Sequence, residues 1–137
     1  MAVTANSIIT PQTPKASTAV CTTANSNYTD SPTNTQVLVT AGANGARVTK
    51  ITALARATVT ITELQLFRDA DGSGTAKRLF NSKQMSAYTV AQTTGNAPTD
   101  FGYSESYPLV LGAGEKIYAG IGVSNTGIVF AAEWADY

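Results

Sequence analysis

Asp69, Asp71 and Ser73 occupy alternate positions in the stretch Leu66–Thr75, LFRDADGSGT, with Gly74 immediately after them. Oxygen-bearing side chains at first, third and fifth positions, then a glycine, are the opening half of an EF-hand calcium loop. The closing half is wrong. Lys77 takes the ninth position, and Phe80 takes the twelfth, where a glutamate should donate two oxygens. Calcium binds about six to eight oxygens, so the missing glutamate matters. The flanks differ too, because Thr60–Arg68 alternates like a strand where an EF-hand has a helix. Arg68, Lys77 and Arg78 outnumber the two aspartates. The stretch therefore reads as a turn in which Asp supplies local hydrogen bonds and Gly supplies positive φ. No metal ligand is assigned.

Other chemistry finds little support. The chain has no histidine and one cysteine, Cys21. A Ser-His-Asp or Cys-His nucleophile is excluded, as are the common zinc sites and an intrachain disulfide. Cys21 alone reads as a small residue packed in a strand. Asp100, Glu105 and Glu133 are the carboxylates that a glycosidase-like pair would draw on, but their spacing singles out no two. Neither a phosphate-binding loop nor a dinucleotide fingerprint occurs. No catalytic residue, cofactor or metal is expected, and the chain is read as a non-enzyme.

Tyr28, Tyr88, Phe101, Tyr103, Tyr107, Tyr118, Trp134 and Tyr137 are spread along the chain. That distribution fits packing better than a stacking platform. Tyr103 and Tyr107 near a loop, with Tyr137 at the terminus, are candidates for a subunit interface, where such side chains concentrate.

The elements that must position these residues are β-strands. The 137 residues favour one domain, and only 13% are charged, against about a quarter in ordinary soluble domains. Nine basic residues balance nine acidic ones, so nothing marks a nucleic-acid binder. Low net charge suits a subunit of an assembly. The first seventeen residues lack a basic start and an apolar core, so they do not read as a secretory signal. No apolar run suffices for a membrane helix. Synthesis in the cytoplasm is the expectation, and the sequon at Asn27 then has no consequence.

Residues 1–35 carry Pro11, Pro14 and Pro32 and two charges, Lys15 and Asp30. They read as an extended arm, with a short strand over Ala19–Thr23, lying against its own domain or a neighbour. Residues 36–137 read as strand and turn. Val37–Val39 leads to Asn44-Gly45, the strongest short hairpin signal. In Val48–Arg56, Ile51, Ala53 and Ala55 share a face. In Val59–Arg68 the apolar phase flips at Thr62-Glu63, which a β-bulge or a passage between sheets would produce. Lys77–Met85 and Ser86–Val90 are weaker strands. Tyr107–Leu111, Lys116–Val123 and Ile128–Trp134 alternate clearly, and Gly120 with Gly122 predicts close approach of another backbone or a bend. The pattern predicts an all-β antiparallel sandwich of the jelly-roll type.

Three segments together carry a resemblance: RVTKITALARATVTITELQLFRDADGSG (Arg47–Gly74), PLVLGAGEKIYAGIGV (Pro108–Val123) and VFAAEWADY (Val129–Tyr137). They resemble small capsid decoration, or cement, proteins of tailed bacteriophages. The resemblance covers the last two-thirds of the chain and rests on the order of strands and turns. It implies a sandwich on the outer surface of a virion head, bridging subunits of the major capsid protein and self-associating as a dimer or trimer. No cofactor, nucleic acid or membrane is implied. The expected contact residues are Ile8, Ile9, Pro11 and Pro14, with Tyr103, Tyr107 and Tyr137. A tail- or fibre-associated module binding carbohydrate or a receptor is the alternative. A calcium-dependent adhesion module using Asp69 and Asp71 is a third reading.

Overall fold

The computed structural model describes residues 10–137. Among these lie nine strands: β1 Thr13–Cys21, β2 Gln36–Thr40, β3 Ala46–Ala55, β4 Thr62–Asp69, β5 Lys77–Met85, β6 Thr99–Asp100, β7 Leu109–Leu111, β8 Lys116–Ile121 and β9 Ile128–Asp136. They form two antiparallel sheets packed as a sandwich. One sheet runs β1-β9-β3-β6, with β7 also paired to β3, and the other runs β2-β8-β4-β5. Strands β6 and β7 share one edge position, because β6 pairs with Thr52–Ala53 and β7 with Ala46–Val48 of the same strand.

Alternation decides which residues enter the core. In β9, Ile128, Phe130, Ala132 and Trp134 point inward, and in β8 Ile117, Ala119 and Ile121 face them. Strand β3 buries Ala46 and Val48, then Ile51, Ala53 and Ala55. The odd spacing is a bulge: Val48 lies opposite Trp134 and Lys50 opposite Glu133, so Thr49 is the extra residue. Phe130 anchors the centre, its ring centroid 6.2 Å from that of Phe101.

Several expectations change. The nine residues of β1 pair with β9 along their whole length, from Thr13↔Asp136 to Cys21↔Ile128, so the short strand expected at Ala19–Thr23 starts earlier and is longer. Its apolar signal is weak because only Ala19 and Cys21 are buried. As the edge strand of its sheet, β1 also tolerates Pro14. Ile8 and Ile9 lie outside the described residues.

The Asn44-Gly45 turn forms, with the Gly45 N–H donating to the Gly42 carbonyl at 3.1 Å. It is a corner between the sheets and not a hairpin, because β2 and β3 belong to different ones. Strand β3 is already paired on both sides, by β9 and by β6 and β7, which leaves β2 no edge to join. The corner is tight: at φ +90° a Cβ on Gly45 would sit 2.4 Å from the Leu111 carbonyl oxygen.

The phase flip at Thr62-Glu63 comes from the passage between sheets. Val59 stands outside β4 in an isolated bridge to Tyr88, and Ile61 is exposed. That bridge is all that remains of the strand expected at Ser86–Val90. Within β4, Thr62, Leu64 and Leu66 face inward, while Glu63, Gln65, Phe67 and Asp69 face outward. Yet Gln65, Phe67 and Asp69 are buried as well. Something else covers them.

Candidate functional site

Over Gln65 and Phe67 the cover is the loop of residues 22–35, whereas Asp69 is enclosed by its own turn through Gly74. The loop lies over the outer face of the β2-β8-β4-β5 sheet, so this part of the expected arm rests on its own domain. Asn25 organises it. The side-chain Nδ2 of Asn25 donates to Gln65 Oε1 at 2.9 Å, and its Oδ1 accepts from the Asn27 and Thr33 amides at 3.0 and 2.8 Å. Tyr28 donates its hydroxyl to Glu63 at 2.7 Å. That bond to the carboxylate raises the tyrosine pKa. Asp30 pairs with Arg78 at 3.2 Å, and the Leu79 N–H donates to the Thr29 carbonyl at 3.2 Å. Lys77 donates to Thr35 at 3.1 Å and lies 4.0 Å from the Tyr118 ring centroid. The backbone approach expected at Gly120 is not found there. A Cβ there would touch Gln65, Phe67 and Thr35, each at 3.4 Å, so side chains and not another backbone crowd it.

The opposite outer face, on β1-β9-β3, has no such cover among the described residues. The outward side chains along its hollows are small or charged, namely Ala16 and Thr18 from β1, Ala131 and Glu133 from β9, Thr49, Lys50 and Thr52 from β3, while Val20, Val129 and Leu54 form an apolar row across one end. Small residues leave it hollowed. One hollow of about 720 Å³ is bordered by Thr10, Pro11, Pro14, Arg47, Glu105 and Trp134. A second of about 390 Å³ adjoins it at Ala16 and Glu133 and continues past Thr18, Thr52 and Ala131. Both run beside the edge of β1 that is unpaired among the described residues.

The walls of the larger hollow are held by ion pairs. Arg47 donates to the Glu105 carbonyl at 2.7 Å, and its guanidinium lies 3.6 Å from the Glu105 carboxylate. Lys15 contacts Asp136 at 2.5 Å, and the other Asp136 oxygen accepts the Gly42 N–H at 3.0 Å. Arg47 Nε and Trp134 Nε1 are buried and have no acceptor. Both belong to residues that border this hollow.

The expected contact residues divide. Pro11 and Pro14 border the larger hollow. Tyr107 is 77% exposed in a turn closed by reciprocal Ser104 and Tyr107 hydrogen bonds, two residues from Glu105 on the rim. Tyr103 points the other way. It packs against the core and its hydroxyl accepts from Asn81 at 2.9 Å. Burial raises its pKa. It is a packing residue. Tyr137 is half-buried, its N–H tied to the Gly45 carbonyl at 3.2 Å. Lys15, Ala16, Thr18, Arg47 and Ala131 were not singled out by sequence. Only the β1–β9–β3 pairing puts them side by side.

Of the carboxylates weighed for catalysis, Glu105 and Glu133 border the same hollow. Glu105 is 81% exposed and engaged by Arg47, which suits a rim charge better than a proton donor. Cys21 is buried and its thiol donates to the Ala119 carbonyl at 3.3 Å. Burial pushes its pKa up to about 12, so it is held as the unreactive thiol. Among the described residues no group of three or more His, Cys, Asp or Glu side chains gathers as a metal cluster. No helix there is long and apolar enough to cross a membrane. No family model, curated protein or solved structure matches the chain.

Proposed function

We propose that this protein is a non-enzymatic virion component that decorates a phage head, bridging major capsid protein subunits through the outer face of β1-β9-β3. The observation that carries the reading is the contrast between the two outer faces. One is covered by residues 22–35, while the other, among the described residues, is hollowed, lined largely by small and charged side chains and bordered by an open strand edge. A rigid sandwich with one such face fits a clasp laid over a neighbouring surface. An open edge can add a strand or an extended segment from a partner. Many copies acting together make modest contacts durable.

The resemblance to decoration proteins points the same way. So does the strand order. Counting β6 and β7 as one position, the chain runs eight strands through two sheets of four, as a jelly roll does. Location on the outside of the head and self-association belong to the same proposal. The described exposed tyrosines, Tyr28 and Tyr107, do not form one platform: Tyr28 is held on the covered face by Glu63. This favours the clasp over a carbohydrate-binding tip.

The test is co-sedimentation with purified heads that lack the protein. Wild-type protein should pellet with them, and a Thr18→Arg, Ala131→Arg double variant should pellet at least tenfold less while melting unchanged. A glycan array run in parallel should stay blank. Heads that bind both proteins equally, or neither, would remove the proposal.

A further inference from the structure

We propose that the turn between β4 and β5 is a calcium site built on Asp69 and Asp71. It is independent of the docking face, which lies on the other sheet.

Asp69 ends β4 and is 0% exposed. One carboxylate oxygen, Oδ2, accepts the Gly74 N–H at 2.5 Å. The other, Oδ1, is buried without any partner. A buried carboxylate in that condition needs a counter-charge, because leaving it unpaired is strongly unfavourable. Asp71 stands beside it on the exposed side of the turn.

Arg68, Lys77 and Arg78 outnumber these two acids along the chain. All three are committed elsewhere. Arg68 is bound by Glu115 and donates to the Val110 carbonyl at 2.8 Å. Lys77 is held between Thr35 and the Tyr118 ring. Arg78 pairs with Asp30. The remaining cation nearby is Lys116, opposite Asp69 on β8. Its Cε lies 3.9 Å from where a Gly72 Cβ would be, so its stem runs under the turn.

The donors are all hard oxygens: the free Asp69 oxygen, the Asp71 carboxylate and the Ser73 hydroxyl. Ser73 Oγ lies 2.7 Å from Thr75 Oγ1. Oxygen-only donors select calcium or magnesium over zinc or copper. Magnesium demands a near-ideal octahedron, whereas calcium accepts an irregular cage completed by water. Gly72 and Gly74, at φ +70° and +86°, give this turn an irregular curl. Two carboxylates without a bidentate glutamate make a weak site, with a Kd on the order of 10⁻⁴–10⁻³ M, as in extracellular calcium modules.

Thermal melting with 10 mM calcium chloride against EDTA tests it, alongside terbium luminescence excited through tyrosine. Tyr118 serves as the antenna, since its hydroxyl lies 3.4 Å from the Gly74 Cβ position. Calcium should raise Tm by about 4 °C, magnesium by less, and terbium emission should rise and be displaced by calcium. Asp71→Asn, at an exposed position, should leave the EDTA melt unchanged and abolish both signals. Lys116→Met should tighten calcium binding. A melt blind to calcium, signals that survive in Asp71→Asn, or a Lys116→Met protein that is destabilised and not rescued by calcium would each overturn the site. The last would identify Lys116 as the counter-charge of Asp69.

Discussion

The two outer faces of this sandwich are built from the same kind of strand and end in opposite conditions. On β2-β8-β4-β5, the outward side chains of β4 include Phe67 and Gln65, and residues 22–35 close over them. On β1-β9-β3, the outward side chains around the hollows are Ala16, Thr18, Ala131 and Thr52, with Val20, Val129 and Leu54 as a single apolar row at one end, and the described chain leaves the hollows open. A face that carries a large apolar side chain has to be covered within the molecule. A face of small and polar side chains is stable in water and can wait for a partner. Surface chemistry thus separates a second core from an open face, to which the proposal assigns docking, although both are outer surfaces of one fold.

That contrast can be pressed hardest at Phe67. If its face is a second core, Phe67→Ala should cost about 3–5 kcal/mol, the range for a buried aromatic, read as a lower urea midpoint. Loss of less than about 1 kcal/mol would mean that the cover is nominal.

The next effect sits where the sheets are tied together. Arg68 of β4 reaches Glu115, which also accepts the Gly112 N–H at 3.0 Å in the turn after β7. Burial alone would raise the Glu115 pKa, but Arg68 and the Gly112 amide outweigh it and the net shift is downward. A carboxylate depressed on folding stabilises above its ordinary range and loses that contribution as pH falls through its folded value. Glu115→Gln should therefore cost about 2 kcal/mol at neutral pH. In acid the gap between variant and wild type should close. Urea titrations at pH 7 and at successively lower pH read both.

A smaller effect is expected from Asn25→Ala, about 1–2 kcal/mol. Hydrogen exchange in this variant should rise in residues 22–35 and in β4 while β1 and β9 keep wild-type protection. Smallest of all is Ala16→Arg on the open face, which should change stability by less than about 0.5 kcal/mol yet lower attachment to heads. Paired melting and sedimentation of that variant separate the two properties.

Much of this contrast was hidden in the sequence. The β class and strands β7 to β9 were legible because Leu109, Leu111, Ile117, Ala119, Ile121, Ile128, Phe130 and Trp134 alternate between clear turns. Strand β1 was only partly legible, since it buries just Ala19 and Cys21 and draws its stability from backbone pairing with β9. The cover was hidden because Asn25 to Gln65 and Tyr28 to Glu63 are polar contacts between segments far apart in the chain. At Asp69 the neighbouring charges could be counted, but not the directions in which Arg68, Lys77 and Arg78 point. Asn44-Gly45 signalled a tight turn correctly. Whether the turn joins paired strands depends on what else pairs with β3, which no local pattern encodes. Of the expected contact residues, Pro11 and Pro14 are singled out by the unusual composition around them, and they border the larger hollow. Ala16, Thr18 and Ala131 carry no signal until their strands are set side by side.

Hydrogen exchange on the protein alone and bound to heads tests the docking face most directly. The account predicts new protection along β1, Thr13–Cys21, with residues 22–35 and β5 unchanged. New protection over residues 22–35 and β5, with none on β1, would put the contact on the covered sheet and contradict it.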